Sequence, residues 1–126
     1  MTDSPELVVQ LKTGPDGRPA VVEDGDRRHY GVVFEVRNPP MDAFAATFEL
    51  DETHYDPART LRPDPNGGFR LETTTHGDYP VVVRLRTGQG RDVLLKDSLV
   101  RNLRRHSVEA AANPAVMEAL DYIAGH

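Results

Sequence analysis

The stretch that decides the fold is His29-Tyr-Gly-Val-Val-Phe-Glu-Val-Arg37, in which apolar and polar side chains alternate. Successive side chains of a β-strand point to opposite faces, so this period of two places one apolar face on a core. The apolar members are Tyr30, Val32, Phe34 and Val36. Asn38-Pro39-Pro40 follows directly and ends the strand, because proline cannot donate to the ladder of a central strand.

The same alternation recurs on both sides of this stretch. Strands are predicted for five further segments, Glu6–Thr13, Phe44–Leu50, Phe69–Thr73, Tyr79–Leu85 and Asp92–Lys96. Short strands separated by turn residues favour an all-β, immunoglobulin-like sandwich of about seven or eight strands.

Three finer features of the sandwich are also predicted. Gly14-Pro-Asp-Gly17 carries turn residues and predicts a hairpin after the first strand. Within the segment Phe44–Leu50, alternate residues from Phe44 onward are expected to face inward, beside the strand around Phe34 as an adjacent core strand. The proline-rich stretch Asp51–Gly68 predicts a long loop, with Thr74–Asp78 as a further exposed connection.

The last quarter of the chain predicts two helices. Residues 99–103 fit one apolar edge of a short helix that follows a cap at Asp97 or Ser98, with an edge strand as the alternative. Further on, Asn113 and Pro114 are typical of an N-cap and the first helical position. Apolar residues follow at the i, i+4 and i+7 positions of a helical stripe, namely Val116, Leu120 and Ile123.

We therefore expect a sandwich over residues 1–106 and a C-terminal helical extension over residues 107–126. A chain of 126 residues has the usual size of one domain. The apolar stripe of the terminal helix, Asn113–Ala124, is expected to pack on the sandwich. The alternative is a structural or assembly subunit in which this helix pairs with another chain.

Composition excludes several classes of protein. The absence of cysteine removes disulfides, thiolate metal sites and thiol nucleophiles together. A net charge of −5 argues against general nucleic-acid binding, and the local cluster Arg101–His106 is interpreted as a solvated face. The sequence has no secretory signal pattern and no run of about 18 apolar residues, so we expect a cytoplasmic protein without a membrane segment.

The histidines are the candidates for metal or catalytic chemistry. No two of the five stand at the i, i+3 or i+4 spacing of a helical metal pair. A metal-dependent enzyme remains as one alternative, in which His54 and His76 converge from two loops beside Asp51, Glu52 and Asp78. Because the sequence contains neither a nucleophile elbow nor a phosphate-binding loop, the expectation is a protein without enzymatic activity or cofactor.

The central block of the chain resembles the YEATS domain. The resemblance rests on four stretches in the family's order, Tyr30–Val36, Phe48–Arg59, Phe69–Leu71 and Gly77–Tyr79. Residues in the spacing of the family's loop motif are Leu50, Thr53, Pro57 and Arg59, and later aromatic positions are held by Phe69 and Tyr79. The chain is most similar to the prokaryotic branch, whose members accompany bacterial conflict and signalling systems.

The resemblance implies recognition by loops. In eukaryotic members two loop aromatics clamp a flat acyl-lysine amide, while a hydroxyl and backbone amides hydrogen-bond it. Carried over by position, the clamp falls on His54 and His76, the hydroxyl on Thr53 and the loop histidine on Asp51. Histidines thus replace both clamp aromatics. The remaining expected contacts are Tyr55, Gly77, Asp78 and Tyr79.

These assignments lead to one expected function. The loops 51–59 and 74–79 are expected to bind a protein segment or a modified, for example acylated, lysine side chain. The implied partner is a protein or modified peptide, and we expect no general nucleic-acid binding, no membrane association and no cofactor.

Overall fold

The computed structural model describes residues 4–50, 58–65, 68–106 and 113–125. Within these ranges the chain forms β1 (Glu6–Leu11), β2 (Val21–Asp24), β3 (Arg27–Arg37), β4 (Ala43–Glu49), β5 (Ala58–Leu61), β6 (Phe69–Thr75), β7 (Pro80–Thr87), β8 (Asp92–Ser98), α1 (Leu99–Arg105) and α2 (Pro114–Ala124). The strands form two antiparallel sheets. The predicted all-β sandwich with a C-terminal helix is confirmed. None of the helices described is long and apolar enough to cross a membrane.

The first sheet is built on β3. Both β1 and β2 pair with one edge of β3, and β6 pairs with the other. The strand β1 ends opposite Val32 and β2 begins opposite Tyr30, and between them Lys12 and Ala20 are both hydrogen-bonded to Gly31. Residues 13–19 therefore leave the sheet as an excursion from one continuous edge. The turn in this excursion closes where Gly17 N–H donates to the Gly14 carbonyl at 3.0 Å. The predicted turn is therefore present, but it interrupts an edge instead of linking two neighbouring strands.

The second sheet has the strand order β5-β4-β7-β8. Its edge strand β5 lies inside the stretch Asp51–Gly68, for which the sequence predicted only a loop. That prediction is wrong at Ala58–Leu61, because the prolines flank the strand and an edge position leaves one side of the ladder open. The segments 51–57 and 66–67 of the same stretch lie outside the described residues.

Two further predictions, both concerning β4, are wrong. Phe44 was expected to face inward, yet its side chain is 54% exposed, because the register shifts at a bulge between Ala43 and Ala45. The strands β3 and β4 were expected to be adjacent, but they belong to opposite sheets. They meet across the core instead, where the rings of Phe34 and Phe48 lie 6.2 Å apart.

The core lies between the two sheets and extends to both helices. Its largest fully buried side chains include Phe34, Phe48, Phe69, Leu85, Leu99, Leu103 and Ile123. Full burial of such a side chain contributes about 1.5–3 kcal/mol, so the hydrophobic effect is the main force that closes the sandwich.

The helix α1 covers the free edge of β1. It begins after the N-cap Ser98, whose side chain accepts a hydrogen bond from the Arg101 N–H as the sequence predicts. Asn102 is 1% exposed, and its Oδ1 accepts from the Val9 N–H at 2.7 Å while its Nδ2 donates to the Leu7 carbonyl at 2.9 Å. A side-chain amide thus pairs with the strand edge in the manner of a peptide group.

The helix α2 is anchored on the sandwich by its own apolar stripe. The N-cap Asn113 accepts from the Ala115 N–H at 3.0 Å, in agreement with the sequence prediction. The buried residues of the helix are Val116, Ala119, Leu120 and Ile123, and they belong to the same hydrophobic cluster as the strands. Because this stripe is covered within the chain, it disfavours pairing between chains through that face. The division at residues 106 and 107 borders a segment outside the described ranges and stays a prediction.

Arg28 connects β3 to α2 by three interactions. Its backbone N–H donates to the Tyr122 hydroxyl at 2.9 Å, its Nη1 lies 2.9 Å from the Glu118 carboxylate, and its guanidinium lies 5.4 Å from the Tyr122 ring centroid. Side-chain hydrogen bonds to Tyr30 and to Glu118 raise the pKa of Arg28 above its ordinary value. An arginine guanidinium is cationic across the physiological pH range in any case, and these contacts favour that charge further.

Asn102→Ala is expected to lower the free energy of unfolding by about 2–4 kcal/mol, because a buried N–H and a buried carbonyl of β1 lose their partners. Denaturant unfolding followed by circular dichroism measures the change. Arg101→Ala, on the exposed side of the same helix, serves as the control and is expected to stay within about 0.5 kcal/mol of the parent. Equal losses in the two variants would contradict the role assigned to Asn102.

Candidate recognition site

Both predicted binding loops start from the same end of the second sheet. The strand β4 ends at Glu49, opposite Val82 of β7. The strand β7 begins two residues earlier, at Pro80, directly after the β6–β7 connection formed by residues 76–79. The chain therefore enters segment 51–57 at the end where this connection lies. That segment is outside the described residues, so the roles of four of the expected contacts stay predictions, namely Asp51, Thr53, His54 and Tyr55.

The β6–β7 connection is attached to the first turn of α1. The Asp78 carboxylate accepts hydrogen bonds from the Val100 N–H at 3.0 Å and from the Ser98 hydroxyl at 3.2 Å. The Tyr79 carbonyl accepts from the Leu99 N–H at 3.0 Å. Asp78, which the sequence suggests as a ligand contact, thus satisfies a free N–H group at the helix N-terminus.

Gly77 and Tyr79 are buried and shape the connection from the inside. The Thr75 hydroxyl donates to the Gly77 carbonyl at 2.7 Å and accepts from the Gly77 N–H at 3.3 Å. The Tyr79 side chain is 7% exposed and belongs to the hydrophobic core. These residues fix the backbone on either side of His76, whose ring is half-buried. Their expected contacts with a ligand stay predictions.

His29 is the site residue that sequence reasoning missed. Tyr30 of β3 pairs with Thr75 of β6, so the next step of the register brings His29 opposite His76. The centroids of the two imidazole rings lie 5.5 Å apart, with an angle of 68° between the ring planes. The sequence did place His29 on the polar face of the alternating strand, which marked its side chain as accessible to a ligand. Without the pairing of β3 with β6, nothing in the sequence joins it to His76.

A groove of about 450 Å³ lies beside His29 on the first sheet. Gly31 lines the groove next to the Lys12 side chain, and a Cβ added at Gly31 would lie only 3.2 Å from the Lys12 Cβ, so this position is closely packed. Val22, which is 64% exposed, lines the groove together with Glu72. An apolar floor with charged side chains at the margin suits an extended aliphatic chain with a polar end.

Across the described ranges, with their gaps at 51–57, 66–67 and 107–112, no group of three or more histidine and carboxylate residues is placed to hold a metal ion. The predicted convergence of His54 with His76 stays a prediction, because His54 lies outside these ranges.

Comparison with known proteins shows a likeness of fold. No family model matches the sequence, and no curated protein matches it. The crystal structure of the yeast AF-9 homolog protein Yaf9 matches with a TM-score of 0.52 and 15% identity, over 76% of this chain and 67% of that chain. The Yaf9 YEATS domain bound to H3K27ac gives a TM-score of 0.52 and 15% identity, over 76% and 72% of the two chains.

A third solved structure, the Yaf9 YEATS domain recognizing an H3K122suc peptide, matches with a TM-score of 0.51 and 17% identity. This match covers 76% of the present chain and 72% of the other. At such identities the shared property is the fold. The chain has a YEATS-like immunoglobulin sandwich, as the sequence predicted, whereas its assignment to the prokaryotic branch stays a prediction.

Asp78→Ala is expected to lower the free energy of unfolding by about 1–2 kcal/mol, because the first turn of α1 loses an acceptor. His76→Ala is expected to cost about 0.5 kcal/mol or less, since the ring is half-buried at the surface. Denaturant unfolding measures both, with Asp26→Ala as a control that removes an exposed carboxylate elsewhere. A neutral Asp78→Ala variant would show that the carboxylate does not hold the connection to the helix.

Proposed function

We propose that this protein is a non-enzymatic recognition module that binds a protein segment or a modified, for example acylated, lysine side chain through residues 51–59 and 74–79. The observation that carries the proposal is a YEATS-like fold in which β4 ends, before residues 51–57, at the same end of the second sheet where residues 76–79 lead into β7. Two of the matched structures are of the Yaf9 YEATS domain with H3K27ac and with an H3K122suc peptide. A similar ligand class is therefore proposed for this chain.

The chemistry of the proposed site depends on the flat shape of an acyl amide. In this proposal the rings of His54 and His76 stack on the two faces of the amide, and the Thr53 hydroxyl donates a hydrogen bond to the amide oxygen. Stacking on both faces at van der Waals contact requires the two rings to be roughly 7 Å apart. Backbone N–H groups of the β6–β7 connection supply further fixed donors.

The groove beside His29 extends the proposed site along the first sheet. Its volume of about 450 Å³ and the exposed side chain of Val22 accommodate the residues that flank the modified lysine. The ring contact between His29 and His76 makes the groove continuous with the β6–β7 connection. The ligand therefore spans two surfaces, one at the loop end and one on the sheet.

The anchoring of the connection favours binding. Asp78 and Tyr79 tie this segment to α1 through three hydrogen bonds with the first turn of that helix and its cap. A segment that is ordered before the ligand arrives does not lose that conformational entropy on binding. His76 is therefore presented from a backbone that is largely preorganised.

The wider setting is proposed from the sequence. We place the protein in the cytoplasm and in the prokaryotic YEATS-like branch, within a bacterial conflict or signalling system. A net charge of −5 fits a peptide partner better than a phosphate backbone, since phosphate binding needs clustered excess positive charge. No catalytic step and no cofactor form part of the proposal.

The test is a titration of the full chain, in the presence of a metal chelator, with lysine peptides of one sequence in acetylated, succinylated and unmodified form. Amide resonances of residues 51–59 and 74–79 are expected to shift. The preferred acylated peptide is expected to bind at least about tenfold more tightly than the unmodified one, which corresponds to 1.4 kcal/mol. Both His54→Ala and His76→Ala are expected to weaken binding of the acylated peptide.

Met41→Ala provides the matched control. Met41 is fully exposed and precedes β4, at the opposite end of the second sheet from the proposed site. The variant is expected to bind like the parent. Titration without any shift at either segment would refute the recognition proposal, and equal affinity for all three peptides would refute selection of a modified lysine.

A further inference from the structure

We propose that His29 and His76 form a bidentate site for a divalent transition-metal ion of the zinc class. Imidazole nitrogen is a preferred ligand of zinc, copper and nickel ions. The site pairs one strand residue with one residue at the end of the neighbouring strand, and it differs from the helical histidine pairs that sequence spacing reveals. The proposal is independent of the peptide-binding function.

The separation of the two rings fits one shared ion. A zinc–nitrogen bond of about 2.1 Å, together with the radius of the imidazole ring, places an ion roughly 3.2 Å from each ring centroid. Centroids that lie 5.5 Å apart then subtend an angle of roughly 120° at the ion. This angle is close to the tetrahedral value, so the separation of the rings is compatible with one ion when a nitrogen of each ring is turned toward it.

The backbone on both sides of the site is held in place. His29 lies within β3, between the pairing partners β2 and β6, and it pairs with Val22 of β2. His76 directly follows Thr75, whose hydroxyl is bonded to Gly77 on the other side of the histidine. Ligands on a paired strand and a braced connection lose little conformational freedom when they bind an ion.

The proposed ion keeps open coordination positions. Among the residues described there is no group of three metal-ligating side chains, so two imidazoles are the ligands that this part of the chain supplies. A tetrahedral ion would fill its other positions with water or with a carboxylate or carbonyl oxygen of a bound molecule. The groove beside His29, with its volume of about 450 Å³, gives such a molecule access.

Binding of the ion would also regulate the proposed recognition site. A ring that donates its nitrogen to a metal is fixed in one orientation, so His76 cannot turn freely to stack on an acyl amide. Zinc at this site is therefore expected to change the affinity for an acylated peptide. This last point alone rests on the proposed function.

The experiment titrates the full chain with Zn²⁺ alone and follows the imidazole resonances. The signals of His29 and His76 are expected to shift together and to saturate at one equivalent. The His106 ring is an internal control, because its Nδ1 lies 3.0 Å from the Asn102 carbonyl and its Nε2 lies 3.2 Å from the Glu6 carboxylate. Its signals are expected to stay in place.

Two variants of similar size test the ligands, His29→Gln and His76→Gln. Each is expected to weaken zinc binding at least about tenfold, because one imidazole remains. Gln10→Ala, an exposed change on β1 of the same sheet, is expected to bind zinc like the parent. Zinc is also expected to raise the unfolding temperature of the parent and to leave that of the double variant unchanged.

The zinc proposal is overturned if zinc moves neither ring or if the double variant keeps full affinity. It is equally overturned if His54→Ala abolishes zinc binding while His29→Gln does not. Because the peptide titration is done with a chelator present, its failure would reject the recognition function and leave the metal site standing. Failure of the zinc titration would reject the metal site and leave the recognition function standing.

Discussion

The buried amide of Asn102 is the interaction on which the arrangement of the molecule depends. An edge strand that is covered by a helix must still satisfy its outward backbone groups, and the Asn102 side chain does this for Val9 and Leu7 of β1. The same helix receives the Asp78 carboxylate at its first turn. One short helix therefore sets the first sheet and the candidate site in a fixed relation to each other.

The features that sequence predicted correctly are those that depend on neighbours along the chain. The strand β3, the alternation in β7, the N-caps Ser98 and Asn113, and the stripe of α2 are all decided within a few residues. The errors have a different origin. The outward turn of Phe44 follows from a bulge against β7, and the place of β5 follows from its pairing with β4. Register between distant strands is not encoded in any local pattern.

The candidate site shows the same contrast between features decided by neighbours along the chain and features decided by distant strands. His76 was identified because its spacing resembles a family motif, and the structure puts it at the end of β6. His29 was missed because it is adjacent to His76 only through the β3–β6 ladder. Asp78 and Tyr79 stay predicted ligand contacts, and the structure adds tertiary contacts that the sequence did not reveal, with α1 and with the core. The residues of a loop can be predicted from sequence more readily than the directions in which their side chains point.

The excursion between β1 and β2 has a consequence for how this chain tolerates changes in length. An insertion there would leave the pairing of both strands with β3 intact, because each is fixed by its own ladder. The Gly17 carbonyl, however, accepts a hydrogen bond from the Asn113 side chain at 3.0 Å, beside the start of α2. Homologues with a longer excursion would keep the sandwich and would have to secure the terminal helix by another contact.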